Sequence, residues 1–392
     1  MPNAVLVDVV RSPMGKGKAS GSLASVHPVE LLAQTLRALI DRTGVDPAAV
    51  EDVIIGCVTQ VREQAATPGR YASLSAGFPV HVPATTIDRR CGSGQQALAF
   101  AVQGVMAGAY DIAIAGGVES MSRIPIGSNR GDADTFGPGA WARFPGMVNQ
   151  GVSAELVADK YALSRTMLDE LSVESHARAQ RAKEAGLLGR SIAPITRPDG
   201  VVVEADETIR PGTTVETLAA LAPAFGSEAN RTAHPNIDWK ITAGNSSQVT
   251  DGAGAVLVMS EERAAELNMR PIARIAASSV VGDDPVLMLT GVIPATQKVL
   301  DRAKMTLDDI DHVELNEAFA SVPLAWQAEF GYDSARLNPL GGAIALGHPL
   351  GASGIRLLSS LLTGLESVGG RYGLLTMCES GGMANAMVVE RL

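Results

Sequence analysis

Three cysteines, Cys57, Cys91 and Cys378, are scattered over 392 residues. That is too few and too dispersed for a disulfide framework, so a reduced, cytoplasmic setting is expected. Aromatic residues make up only 4% of the chain; with glycine and alanine abundant, this favours close helix and strand packing with many tight turns. A basic excess is also missing. The net charge is −10, so neither nucleic acid nor a membrane surface is expected as a partner, although an acidic chain can still hold a local basic pocket for a phosphorylated ligand. No uncharged apolar run reaches the ~18 residues of a transmembrane helix. The opening "MPNAVLVDVVRSP" has no basic stretch before its apolar residues, so no secretory signal is expected there. GxxxxGK[ST], GxSxG, HExxH and CxxC are all missing, which removes the usual signatures of phosphate loops, serine-hydrolase elbows and zinc sites. No metal is expected.

What is present reads as a globular chain of two or three domains, with 46% hydrophobic and 19% charged residues. "AVLVDVV" and "DVIIGCV" have the pattern of buried strands. Residues 28–42, with Pro28 in the first turn and Leu31, Leu32, Leu36, Leu39 and Ile40 on one face, predict an amphipathic helix. Residues 94–108 predict another helix, and "DIAIAGGVES" a buried strand running into a glycine turn. Strand–helix–strand alternation implies right-handed parallel units and an α/β fold. Residues 119 to about 248 break the pattern with loops and helical stretches such as 165–185, and read as an insertion. A faint internal echo follows. The glycine turn, helix and strand after Cys91, ending in Gly116 and Gly117, return near the C-terminus as "NPLGGAIALGHPLGASG", a helix (353–365), a strand (372–377) and Gly381-Gly382. Two similar halves facing each other would account for it.

"DRRCGSGQQA" (88–97) permits two interpretations. Gly92, Gly94 and Ala97 fit G-x-G-x-x-A, a dinucleotide cradle. That cradle needs an acidic residue ending the next strand, about 20 residues on. Asp111 is at the distance but precedes its strand, so the cradle loses its partner. Alternatively the glycines present Cys91 as a nucleophile. A free thiol has a pKa of about 8.5 and is mostly protonated at neutral pH; a helix N-terminus and a nearby imidazole both raise its thiolate fraction. The competing structural role is a buried cysteine acting as a small hydrophobe.

Of six histidines, His348 stands in a glycine-rich loop whose constraint points to a close approach of backbone or ligand. His27 and His81 lie in turns, where a histidine is usually solvated. "HVELNEAFA" puts Asn316 and Glu317 at the end of a strand, where an asparagine can orient a water, donate to an oxyanion or simply form an Asx turn. "LLTMCESGGMANA" ends a buried strand in Cys378 and another glycine turn. Two cysteines and a histidine at strand tips and helix heads suit an active site at a sheet edge.

These residues carry a family resemblance. "DRRCGSGQQAL", "AGGVESMS", "GNSSQVTDGAGA", "NEAFA" and "GGAIALGHPLGASG" are similar to the motifs of the thiolases, the acyl-CoA acetyltransferases of the thiolase superfamily. The match runs from "RSPMGK" to "CESGGMANA". The resemblance implies a layered αβαβα fold of two similar α/β halves with an inserted loop domain: 1–118 plus 249–270, 119–248, and 271–392. It implies thiolytic cleavage of 3-ketoacyl-CoA, or the reverse Claisen condensation, by ping-pong kinetics. Cys91 would be the acylated nucleophile, His348 its base, and Cys378 the acid/base at the substrate α-carbon. Asn316, through a water, and His348 would hold the enolate oxygen; the backbone N–H groups of Cys91 and Ser380 would hold the tetrahedral oxyanion. Ser247, Met288 and Phe319 would line the pantetheine arm of coenzyme A. Coenzyme A and acyl-CoA are then substrates, with no permanently bound cofactor. The implied setting is lipid metabolism and β-oxidation in the cytoplasm. The implied assembly is a homo-oligomer, dimer or tetramer, with residues 119–145 available for tetramer contacts.

Two departures stand out. The family commonly reads C-x-G-G-G where this chain has Cys378-Glu379-Ser380-Gly381-Gly382. If position 380 needs φ > 0, serine costs about 1 kcal/mol or more there. Gln150, in "NQGVSAE", occupies a place that touches the family's acyl pocket, so a longer or bulkier acyl group is compatible with it. A carrier-protein-dependent condensing synthase of the same superfamily is disfavoured by Cys378, because those enzymes keep histidine or asparagine in its place. A lipid- or acyl-CoA-binding protein of low turnover is the alternative of a different class, with Ser380 as its support.

Overall fold

The structure, a computed structural model, describes residues 3–392. Its first half runs β1 (Ala4–Arg11), α1 (Pro28–Thr43), β2 (Asp52–Gly56), α2 (Pro68–Ser75), β3 (Ala84–Ile87), α3 (Ser93–Met106) and β4 (Ile112–Ser120). Then come α4 (Gln150–Lys160), α5 (Arg165–Glu184) and connecting loops, before β5 (Thr250–Ser260) rejoins the sheet. The second half runs β6 (Ala273–Gly282), α6 (Val292–Ala303), β7 (His312–Leu315), α7 (Ser321–Phe330), α8 (Ser353–Val368), β8 (Tyr372–Glu379) and β9 (Met383–Arg391).

The strands lie in the order β3-β2-β4-β5-β1-β6-β9-β8-β7 in one ten-stranded sheet, to which Gly15–Lys16 adds a short edge on β5. Each half repeats one topology. A parallel pair (β2/β4, β7/β8) is followed by two antiparallel neighbours (β5 and β1, β9 and β6). The halves join where Leu6 pairs with Ala273. The parallel arrangement therefore covers β3-β2-β4 and β7-β8 only. The neighbouring strands run antiparallel: β9 turns straight back from β8, and β5 returns beside β4 after the long excursion that holds α4 and α5.

Three cores separate the layers. Leu31, Leu32, Leu36 and Leu39 of α1 pack on one face of the first half, against Leu257 and Met259 of β5. On the opposite face Val256 and Val258 of β5 meet Leu98 and Val102 of α3 and Leu358 and Leu361 of α8. In the second half Val292 and Val299 of α6 pack with Val322 and Trp326 of α7, under Leu315, Leu374 and Val388. Period-2 alternation thus gives β5 two dry faces, and every one of its residues is buried. The first thirteen residues of α8 are buried as well, as expected of a helix between the two halves of the sheet rather than on a surface. The result is α-β-α-β-α layering. The internal echo corresponds to α3–β4 in one half and α8–β8 in the other.

The two central helices meet end to end at their first turns, and glycine makes this possible. A Cβ on Gly94 would lie 2.6 Å from Gly351 O, and one on Gly351 would lie 2.6 Å from Gly56 O. A Cβ on Gly354 would run into the backbone nitrogen of Gln95, and one on Gly117 into Gly351 O. No rearrangement of flexible side chains relieves a clash with backbone. Gly354→Ala is therefore expected to destabilise the protein by about 1–3 kcal/mol or more, seen as a lowered Tm and urea midpoint.

Candidate active site

Cys91 sits directly before α3, in a turn closed by Gly92 N donating to Arg89 O and Ser93 N to Arg90 O. Arg90, immediately before the cysteine, holds φ at +50°, a left-handed conformation that non-glycine residues seldom adopt. The Ser93 hydroxyl locks the turn by accepting from Arg89 N (2.8 Å) and donating to Arg90 O (2.6 Å). Gln150, the first residue of α4, lies near enough to the Cys91 thiol to favour its charged form.

The second half delivers the remaining groups at the carboxyl ends of β7 and β8 and the head of α8. Asn316 follows β7, and its backbone N–H donates to Thr376 O on β8 (3.0 Å). Its side-chain Nδ2 faces His348 Nε2 at 3.4 Å, and its Oδ1 is buried without a partner. Nδ1 of the same ring is 2.6 Å from Ser353 Oγ, which also bonds Pro349 O at 2.9 Å. A hydroxyl has one hydrogen. With it directed at Pro349 O, Ser353 accepts from Nδ1–H, and Nε2 is left as the basic nitrogen. Cys378 is fully buried on β8 in the outer core with Met288 and Phe319. The two thiols are close enough that Cys91 charge disfavours the Cys378 thiolate.

Burial dominates the protonation states. It pushes the Cys91 thiol up to about 12, reinforced by the Glu379 carboxylate and opposed by the backbone N–H of Cys91 and by Gln150. It drives His348 down to about 3, with the Arg356 guanidinium adding to the effect, and lifts Cys378 well above the ordinary thiol range. At rest the pair is a neutral thiol and a neutral imidazole. The helix N-terminus, expected to enrich the thiolate, loses to desolvation.

Ser247 donates its backbone N–H to Ala318 O (2.9 Å), and neighbouring Ser246 pairs with Phe319. Phe319 meets Phe225 edge-on, with ring centroids 5.8 Å apart. Met288 is buried with φ at +26°. Ser380 carries no left-handed backbone; Gly381 (φ 90°) and Gly382 (φ 75°) do. The strain that serine would bring at position 380 therefore does not arise.

Other buried groups organise the walls. Glu119, at the end of β4, accepts from Val58 N, Thr59 N, Gln64 Nε2 and Gly351 N at 2.9–3.0 Å, tying the His348–Ser353 loop to the first half. Glu317 accepts from Ser175 Oγ, Asn338 Nδ2 and Ile344 N, so it braces the glycine loop and does not face substrate. The glycines of "DRRCGSGQQA" serve the helix contact and the presentation of Cys91; Gly94 is closed by Gly351 O, where a dinucleotide would need room. Asp111 precedes β4, which begins at Ile112. Ser353, Glu119 and Glu379 were not singled out by motif. The one signal for the two glutamates is repetition: Glu119 and Glu379 stand at the same spacing after Ser93 and Ser353. No cluster suited to a metal ion occurs among the described residues, and no helix among them is long and apolar enough to cross a membrane.

Residues 4–262 match the family description "Thiolase, N-terminal domain", and residues 269–391 match "Thiolase, C-terminal domain". A steroid 3-ketoacyl-CoA thiolase of Mycobacterium tuberculosis is 45% identical, with 100% of this chain and 95% of that protein aligned. A beta-ketoadipyl-CoA thiolase of Acinetobacter baylyi is 40% identical with both chains fully covered. The crystal structure of the Bacillus anthracis acetyl-CoA acetyltransferase superposes with a TM-score of 0.89 at 37% identity, covering 100% of this chain and 99% of that one. The chain belongs to the thiolase family and has its fold.

Two outcomes follow from the site. Ser353→Ala is expected to lower the rate of Cys91 acylation about 10–100-fold by releasing the imidazole tautomer, measured as the burst of acyl-enzyme. Iodoacetamide modification of Cys91 is expected to climb with pH without an inflection where free imidazole titrates; an imidazole inflection would contradict the neutral pair.

Proposed function

We propose that this chain is an acyl-CoA acyltransferase that cleaves 3-ketoacyl-CoA with coenzyme A, and runs the reverse Claisen condensation, through an acyl-cysteine on Cys91. The observation that carries this is the convergence of two thiols with the Asn316–His348 pair, on a chain belonging to the thiolases.

In the cleavage direction His348 Nε2 takes the Cys91 proton and the thiolate attacks the 3-keto carbon. The backbone N–H groups of Cys91 and Ser380 hold the oxyanion; a donor fixed before the charge appears is typically worth ~10²–10³ in rate. The C2–C3 bond breaks and leaves acyl-Cys91 and the enolate of acetyl-CoA. Asn316, through a water, and His348 hold the enolate oxygen while Cys378 protonates C2. Acetyl-CoA departs. Cys378 then takes the thiol proton of the incoming coenzyme A, whose sulfur attacks acyl-Cys91, and His348 returns its proton to the released thiolate. Each acid/base gives and takes one proton per turnover, and ping-pong kinetics result.

Ser247, Met288 and Phe319 form the pantetheine wall in this reading. The apolar surroundings of Phe319 and Met288 beside Cys378 support it. Coenzyme A and acyl-CoA enter and leave as substrates. Gln150, beside Cys91, sets the acyl pocket, and relatives named for steroid and beta-ketoadipyl substrates support a capacity for acyl groups longer or bulkier than acetoacetyl. The halves 1–118 with 249–270 and 271–392 supply the chemistry, and the loop domain 119–248 supplies this pocket wall. A cytoplasmic homo-oligomer, dimer or tetramer, belongs to the same reading; Ile126, Phe136 and Trp141, exposed by 59%, 47% and 36%, support a role for 119–145 in assembly. The low-turnover binding alternative loses its support, because Ser380 imposes no backbone strain.

Loss of acetoacetyl-CoA absorbance on adding coenzyme A tests the reaction, with no activity expected above background for Cys91→Ala. Full activity in that variant would overturn the mechanism. Across 3-ketoacyl-CoAs from four carbons to ring-bearing groups, Gln150→Met is expected to shift kcat/KM toward the short substrate.

A further inference from the structure

Glu379 occupies in the second half the position that Glu119 occupies in the first. Each ends the strand that follows a central helix, and each reaches across to the helix-initiating turn of the other half. Their surroundings differ. Glu119 is held by four N–H donors, one of them Gly351 N in the opposite turn. Glu379 is fully buried, and neither of its carboxyl oxygens has a hydrogen-bond partner. Its Oε1 packs on Gly92, the residue after the nucleophile, where even a Cβ would strike it. Asn385 flanks the same glycine, donating Nδ2 to Gly92 O at 3.2 Å, and its own Oδ1 lacks a donor. A buried carboxylate without donors is costly, whereas a carboxylic acid there has a hydrogen to give to an acceptor such as Asn385 Oδ1.

We propose that Glu379 is a positioning residue that works as a neutral carboxylic acid beneath Gly92 and, when it ionises, competes with the Cys91 thiolate for the same α3 N-terminus. The helix end favours one negative charge; a second within a few ångströms in a dry site is strongly disfavoured. Acylation therefore proceeds from the state in which the carboxyl keeps its proton. Burial holds that proton to about pH 8, opposed by Arg89 and reinforced by Asp88. The charged and titratable groups around the carboxyl are Asp88, Arg89 and Cys91 on the turn before α3, Cys378 on its own strand, and Asp283 and Asp284 in the turn packed on Gly382. Arg89 Nε is itself buried without a partner, so Arg89 sets where Glu379 ionises without neutralising it by a direct bond.

The inference rests on Cys91 being the nucleophile, but its test reads the thiol and not turnover, so its failure is distinct from failure of the thiolase reading. Full-length wild type and Glu379→Gln are treated with iodoacetamide from pH 6 to 10, and modification of the Cys91 peptide is followed by mass spectrometry. The expected result is equal rates at pH 6.5 and alkylation of the variant about three- to tenfold faster at pH 9. Superimposed profiles, or a variant slower at every pH, would overturn the proposal. Arg89→Gln gives a second readout that does not depend on the folding of Glu379→Gln. It is expected to move the onset of wild-type suppression to higher pH, and an unmoved onset would also count against the proposal.

Discussion

The contact between the first turns of α3 and α8 is the constraint on which the rest of the molecule depends. It is made by backbone atoms of Gly56, Gly94, Gly117, Gly351 and Gly354. Main chain cannot change rotamer, so the approach is fixed once the glycines are in place. It puts two helix N-termini from different halves at one point. It also brings the loop of His348 against the turn of Cys91, although the two lie 257 positions apart in the sequence. The Glu119 bond to Gly351 N turns this juxtaposition into a fixed register between the halves.

The chemistry inherits the dryness of that contact. Between the two halves of the sheet, Cys91 and His348 rest as neutral groups. Glu119 and Glu317 are enclosed by donors, and the hydroxyl of Ser353 decides which imidazole nitrogen is basic. A site of this kind holds its acid and base ready and separates charge only when substrate supplies a group to receive it.

Much of this was legible in the residues. The period-2 and period-3.6 patterns of 4–10, 28–42 and 94–108 correspond to β1, α1 and α3. The motifs around Cys91, Asn316, His348 and Cys378 mark segments that the fold brings together, because glycine punctuation and strand ends are local signals. Cross-half relations were not legible. Glu379 beneath Gly92 and Glu119 on Gly351 depend on how two separately folded layers meet. The thiol's protonation was misjudged from local cues, because the helix end is visible in sequence and the depth of burial is not. The strain expected at Ser380 dissolved because the left-handed turn falls one residue later, on two glycines.

The two helix-heading turns align as Cys91-Gly92-Ser93-Gly94 and Gly351-Ala352-Ser353-Gly354. The counterpart of Cys91 is a residue with no side chain, and a Cβ added there would strike Gly56 O and the Cα of Cys57. A chain with a cysteine in both turns could not close, since the second Cβ would occupy space already filled by main chain. The molecule is built on repetition, but only one of its two turns has room for a thiol. Repetition supplies the frame, and a thiol on one side against bare backbone on the other makes the two turns unequal.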